Sequence, residues 1–146
     1  MTTYVLDASV AAKWFLPAAG ETLLAESLEI LRDFTAGRIG LLVPDLFWPE
    51  FGNTLWKAVR TRQISRGFAD EAMAIMEQLA PKTAPTAPLV QAAFSIAAAF
   101  HRTVYDSVYV ALALDSGRLL VTADEHLANA LAARFPIRWL GAYSPA

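Results

Sequence analysis

The 146-residue sequence contains no cysteine. Disulfides, thiolate metal sites and thiol nucleophiles are excluded together, and the lack fits a reducing compartment. Histidine is nearly absent as well, with only His101 and His126. Chemistry therefore falls to carboxylates and hydroxyls. An excess of positive charge is also missing: the formal net charge is −2, against the basic footprint that phosphate binding usually leaves. No apolar run approaches the roughly 20 residues of a membrane helix. Residues 1–6 carry neither the basic run nor the long apolar core of a secretory signal. The expectation is a soluble, cytoplasmic protein with no membrane association. No internal repeat, linker or low-complexity tract divides the chain, so one domain over residues 1–146 is expected.

Apolar residues are plentiful. They make up 55% of the chain, against a usual share of about 45–50%. Either the core is generous or a partner covers apolar surface, which makes an oligomer plausible. Their spacing predicts short buried strands at residues 3–6, 39–43, 118–121 and 137–140, and a weaker edge strand at 83–86 in a proline-rich stretch. Helical periodicity predicts helices at 8–16 (stopped by Pro17), 21–34, 45–63, 68–79, 90–100, 105–114 and 125–134. The helix over 105–114 is apolar nearly all round and should be buried on most sides. Strands separated by helices imply a parallel sheet covered on both faces, a three-layer α/β/α sandwich.

Four acids stand out against this background. Asp7 ends the first strand, Asp106 opens a helix, Asp124 nearly ends the fourth strand, and Glu50 lies beside the apolar stripe Phe47, Phe51, Leu55. Taken singly, an aspartate at a strand-to-helix turn is a common N-cap, and a helical glutamate is commonly solvated. In a parallel sheet, however, ligands bind at the carboxyl ends of the strands, where these segments converge. Carboxylates ~4–5 Å apart repel by about 3–4 kcal/mol per pair at an effective dielectric near 20. Such a cluster calls for a cation. Hard oxygen donors without thiolates point to Mg2+ or Mn2+ rather than zinc. A phosphodiester could then be hydrolysed by a water of the metal shell, with one or two ions taking part.

Three blocks carry a resemblance: VLDASVAAKWFLP at 5–17, PDLFWPEFGNTLWKA at 44–58 and TVYDSVYVALALDSGRLLVTAD at 103–124. Together they resemble the PIN-domain family and, within it, the VapC toxins of type II toxin–antitoxin pairs. The likeness spans essentially the whole chain. It implies a sheet of order 3-2-1-4-5 and a Mg2+- or Mn2+-dependent endoribonuclease, with Asp7, Glu50, Asp106 and Asp124 as its acids. Ser9 matches a hydroxyl two residues after the first acid and Thr122 one two residues before the last, while Asn53 lies one turn beyond Glu50. These three are supporting candidates around the centre, and Ser9 reads equally well as a helix-start hydroxyl. His101 and His126 are poor general bases on their positions, His101 at a helix end and His126 within a helix.

The same resemblance implies a homodimer or a toxin–antitoxin hetero-oligomer, silenced by a VapB-like antitoxin lying over the acidic groove. Trp14, Phe15 and Trp48 are the interface candidates, whereas Phe47 reads as core. Lys13, Lys57, Arg60, Arg62 and Arg66 are candidates for holding the RNA backbone, although a basic run is also the ordinary dress of a solvated helix end. Rival readings are a housekeeping PIN nuclease without an antitoxin and an inactive PIN-like binding module. A phosphoaspartate phosphatase needs a second acid where Ser9 stands. A receiver domain needs paired acids after the first strand and a late lysine, and has neither here.

Overall fold

Five short strands, each flanked by helices, line up in the order β3-β2-β1-β4-β5 with every neighbouring pair parallel. The structure is a computed structural model and describes residues 1–145; Ala146, the last residue of the expected domain, lies outside the described residues. The strands are β1 (Thr2–Leu6), β2 (Ile39–Pro44), β3 (Lys82–Ala84), β4 (Leu119–Thr122) and β5 (Ile137–Trp139). The helices are α1 (Ala8–Ala12), α2 (Leu24–Thr35), α3 (Phe47–Arg60), α4 (Arg66–Leu79), α5 (Val90–Phe100), α6 (Val104–Ser116) and α7 (Glu125–Leu131). The expected three-layer sandwich and strand order are what the chain adopts. Among the described residues no helix is long and apolar enough to cross a membrane.

The period of two along each strand divides the core into two layers. Leu6, Leu41, Val43 and Val121 point to one face, where they meet Ile30, Phe47, Phe51, Leu55 and Met76 from α2, α3 and α4. Val5, Leu42 and Leu120 point to the other and meet Ala93, Val108, Leu112, Leu127 and Leu131 from α5, α6 and α7. Phe47 and Phe51 stack at 5.7 Å, and Phe15 packs edge-on against Phe51. α6 lies in the second layer with every residue from Ser107 to Ala113 buried, as its unbroken apolar sequence requires.

Several boundaries differ from the expected ones for local reasons. The first helix covers residues 8–12 rather than 8–16: the N–H groups of Lys13, Trp14 and Phe15 bond three residues back, tightening the turn ahead of Pro17. α2 begins three residues late, at Leu24, after Leu23 in a left-handed conformation. The edge strand is displaced to Lys82–Ala84, where it pairs with β2. The last expected helix stops at Leu131 and not at residue 134.

Four helix ends close in the same way. A left-handed residue is followed by an N–H that bonds back five residues: Arg38 to Asp33, Gln63 to Ala58, Arg102 to Ala97 and Arg118 to Ala113. The left-handed positions are Gly37, Arg62, His101 and Gly117. Glycine meets this demand without strain, and histidine is among the side chains that tolerate it. His101 is thus the turn residue that delivers Arg102.

Candidate metal centre

The carboxyl ends of β1 and β4 lie side by side, with Leu6 opposite Val121. The Asp7 N–H continues the ladder by donating to the Val121 carbonyl at 3.1 Å. Asp7 and Asp124 follow these strands and each caps the next helix: Ser9 N–H donates to Asp7 Oδ1 at 3.3 Å, and Leu127 N–H donates to Asp124 Oδ1 at 3.0 Å. The cap reading is therefore correct for both and exhausts neither, because each carboxylate keeps a second oxygen. Asp106 departs from the cap reading. It stands three residues into α6, and the cap is Thr103, whose hydroxyl accepts from the Asp106 N–H at 3.0 Å. The Asp106 carboxylate is left free of backbone duty.

Asp7, Ser9, Glu50, Asn53, Thr54, Asp106 and Asp124 line one cavity of about 270 Å3. All four predicted acids share it. A larger cleft of about 500 Å3, between Trp14, Phe15, Ile64 and Phe68, has no acidic residue in its wall and offers no comparable chemistry. Thr122, completely buried, ties the two strand ends together. Its hydroxyl donates to Asp7 Oδ2 at 2.7 Å and accepts from the Asp124 N–H at 3.1 Å. Ser9 Oγ accepts from the Ala123 N–H at 3.3 Å. Both hydroxyls thus fix the geometry between the first and last acids. Asn53 is exposed at the cavity rim and makes none of these bonds.

Burial raises the Asp7 carboxyl above the usual carboxylate range, opposed by the hydrogen bonds of Thr122 and Ser9 and aided by the negative charge of Asp106. Some of Asp7 faces the cavity, but protein crowds it on the remaining sides. Burial also raises Glu50; the Tyr109 hydroxyl facing it pulls the other way, while Asp7 and Asp106 push further up. For Asp106, burial again raises the carboxyl, with Arg102 opposing and Asp124 adding to the rise. These are carboxylates held close enough to resist one another's ionisation.

Two residues of this centre escaped the sequence reading. Arg102 places Nη2 3.8 Å from Asp106 Oδ2 and 3.7 Å from Asp124 Oδ2. Its four-residue spacing from Asp106 was a legible signal for an ion pair, but its reach to Asp124 was not. Tyr109, almost fully buried, reads as one more apolar residue of α6. Its hydroxyl is buried facing the Glu50 carboxylate, and burial drives its pKa far upward.

Other candidates stand differently from the expectation. Lys13 is buried and bonds Glu21 Oε2 at 2.9 Å, so its charge is already satisfied within the fold and is not presented to a ligand. Lys57 and Arg60 are exposed on the last turns of α3, Arg62 is exposed in the loop, and Arg66, on α4, pairs with Asp70. Trp14 and Trp48 are half-buried and donate their indole N–H groups to Ser27 O and Thr83 Oγ1. Phe15 is half-buried and Phe47 completely so.

Whether these residues suit a divalent cation turns on the donor set. Among the described residues, no group of three acidic or histidine side chains closes on one point as a preformed cage. The tight cluster expected from sequence is thus looser, and a cationic side chain sits at its edge. The cavity nevertheless is lined by four carboxylates, all hard oxygen donors. Magnesium keeps several waters and takes few direct protein ligands. The residues fit such a hydrated ion.

Comparison with known proteins follows the same lines. Residues 4–131 match the family model of the PIN domain. Ribonuclease VapC3 of Pyrobaculum aerophilum is 32% identical over 130 residues, covering 86% of this chain and 92% of that protein. Among solved structures, PAE2754 from P. aerophilum superposes with a TM-score of 0.69 at 24% identity, over 96% of this chain and 85% of that one. VapC20 of Mycobacterium tuberculosis, titled a Sarcin-Ricin loop cleaving toxin, gives 0.63 at 17% identity, over 90% and 95% of the two chains. VapBC2 from Rickettsia felis, solved with a DNA fragment from its promoter, gives 0.62 at 9% identity, over 94% and 98%. At such identities these superpositions speak for the fold.

Proposed function

The chain belongs to the PIN-domain family, and from that premise we propose that it is a VapC-type ribonuclease that hydrolyses RNA phosphodiester bonds with Mg2+ or Mn2+ and is restrained by a VapB-like antitoxin. The observation that carries this reading is the sharing of one cavity, at the carboxyl edge of a parallel sheet, by Asp7, Glu50, Asp106 and Asp124. Nuclease activity is supported by the 32% identity to a ribonuclease. The divalent ion is supported by the donor chemistry of the cavity.

Asp7, Asp106, Asp124 and Glu50 would hold the ion, directly or through its waters. When bound, it supplies a more acidic water and a positive charge against the phosphoryl oxygens. The protein contributes the rest. Thr122 and Ser9 hold the ends of β1 and β4 so that Asp7 keeps one rotamer. Glu50 lines the cavity and would take a proton from a water there through the carboxylate oxygen turned away from Tyr109, a task to which its raised pKa brings it nearer. The exposed Lys57, Arg60 and Arg62 would hold RNA backbone, by charge and without sequence preference. The half-buried Trp14, Phe15 and Trp48 would give the antitoxin or a second copy apolar contact.

The test is RNA cleavage by purified protein freed of any partner, in Mg2+ and in EDTA. Cleavage with Mg2+, loss in EDTA and loss in Asp106→Asn are expected; equal cleavage by Asp106→Asn would remove the acids from the site. The antitoxin is tested by expression: growth arrest should be relieved by co-expressing a small DNA-binding protein encoded next to this gene. Arrest without such relief would favour a housekeeping nuclease.

A further inference from the structure

Arg102 is the one basic side chain paired with the acidic centre among the described residues, and its position is built. His101 takes the left-handed turn, the Arg102 N–H bonds back to Ala97 O, and the side chain leaves that turn toward the ends of α6 and β4. There Nη2 faces Asp106 and Asp124 together, at 3.8 and 3.7 Å. Both separations are too long for good hydrogen bonds and suit electrostatic pairing. The Arg102 side chain is only 22% exposed, and its Nε is buried without a partner. An arginine held this way, short of full hydrogen bonding, costs desolvation that only nearby negative charge offsets.

We infer that Arg102 is a resident counter-cation of the metal centre: it occupies the electrostatic place of the divalent ion in the metal-free protein and lowers the affinity with which that ion binds. The inference rests on the metal-centre reading above. One guanidinium nitrogen faces a carboxylate oxygen of each acid, so a single fixed positive charge offsets the repulsion between Asp106 and Asp124 before any metal arrives. The same positive charge must then be tolerated or turned aside when a doubly charged ion enters. Arg102 thus trades metal affinity for a folded apo site. It is a positioning residue, acting through Asp106 and Asp124.

The experiment is isothermal titration of the EDTA-stripped full chain with MnCl2 or MgCl2 alone, for wild type, Arg102→Met and Arg102→Lys, alongside thermal melts with and without the ion. Arg102→Met should bind the ion at least roughly tenfold more tightly, about 1.4 kcal/mol, while melting lower than wild type in EDTA. Arg102→Lys, which keeps the charge, should stay near wild type in affinity. Equal affinity in wild type and Arg102→Met overturns the inference and leaves the metal site standing. Weaker RNA binding by Arg102→Met with unchanged metal affinity also overturns it, making Arg102 a phosphate contact. No binding of either ion to any form sinks the metal-centre reading and the inference with it. Should Arg102→Met not fold, side-chain 15N NMR of wild type decides: the Arg102 Nε resonance must move during Mg2+ titration, with the midpoint seen by calorimetry, and a static resonance overturns the inference.

Discussion

Replacing Asp7 by Asn separates a structural cap from a metal ligand. Asparagine keeps the side-chain volume but offers one acceptor oxygen where aspartate offers two. Its single carbonyl can still accept the Thr122 hydroxyl, so the loss is the long Ser9 N–H bond, worth about 1 kcal/mol. Against this, the variant no longer places a charge where burial raises the carboxyl pKa. An imperfectly compensated buried ion costs several kcal/mol, reduced here by the cavity side of Asp7. In EDTA at pH 7 the variant should therefore be more stable than wild type by about 1–2 kcal/mol, raising Tm by about 3–6 °C for a chain of this size. The folded-state pKa of Asp7 lies above its ordinary 3.8, so the folded protein holds this proton to higher pH than the unfolded chain. Wild-type stability falls relative to the variant as pH rises from 3.8 through the raised value, and the gap is constant above it. Divalent ion reverses the order, because a site saturated at a hundredfold excess over Kd contributes about 2.7 kcal/mol to wild type alone. Urea denaturation of both proteins at several pH values, with EDTA and with Mg2+, reads all of this. Should Asp7→Asn be less stable than wild type in EDTA at neutral pH, and gain as much from Mg2+, Asp7 is a cap and the metal assignment is wrong.

Other consequences are simpler to check. Thr122→Val keeps shape but removes the hydroxyl joining Asp7 to the Asp124 N–H; RNA cleavage should fall about 10–100-fold and urea denaturation should show a loss of about 1–3 kcal/mol. Tyr143→Phe removes a 2.6 Å bond to the buried Asp33, whose other oxygen accepts from Arg38 Nε at 2.8 Å; about 1–3 kcal/mol of stability should go, with RNA cleavage per folded molecule unchanged. Lys57→Ala with Arg60→Ala should weaken RNA binding for every sequence alike and flatten the dependence of log K on log salt by about 1–2 units, while leaving Mn2+ affinity as it was.

The fold was legible because its signals are local and repeated. Apolar runs of strand length, helical stripes such as Phe47, Phe51 and Leu55, and stop signals at Pro17 and Gly37 leave little freedom about what each segment becomes. Where the reading slipped, a local device had no strong sequence mark: the tightened turn after Ala12, the left-handed Leu23 and the displaced edge strand. The acids were legible for a different reason. Three of them stand where apolar segments begin or end, and an acid in such company is conspicuous. Arg102 and Tyr109 were not, since an arginine after a helix and a tyrosine inside an apolar one are ordinary in sequence. Lys13 was misread for the same cause: its charge gave no sign that Glu21 would take it into the protein.

The sequence by itself determined which segments are strands and helices, that the sheet is parallel and layered on both faces, and that four acids belong near its carboxyl edge. Periodicity and element order decide these, and both are written along the chain. Only the tertiary structure decided that the four share one cavity, that Thr122 locks the first to the last, and that Arg102 stands between two of them. Those contacts join residues up to 115 positions apart. Their energies depend on distance and burial in space, quantities that no spacing along the chain contains.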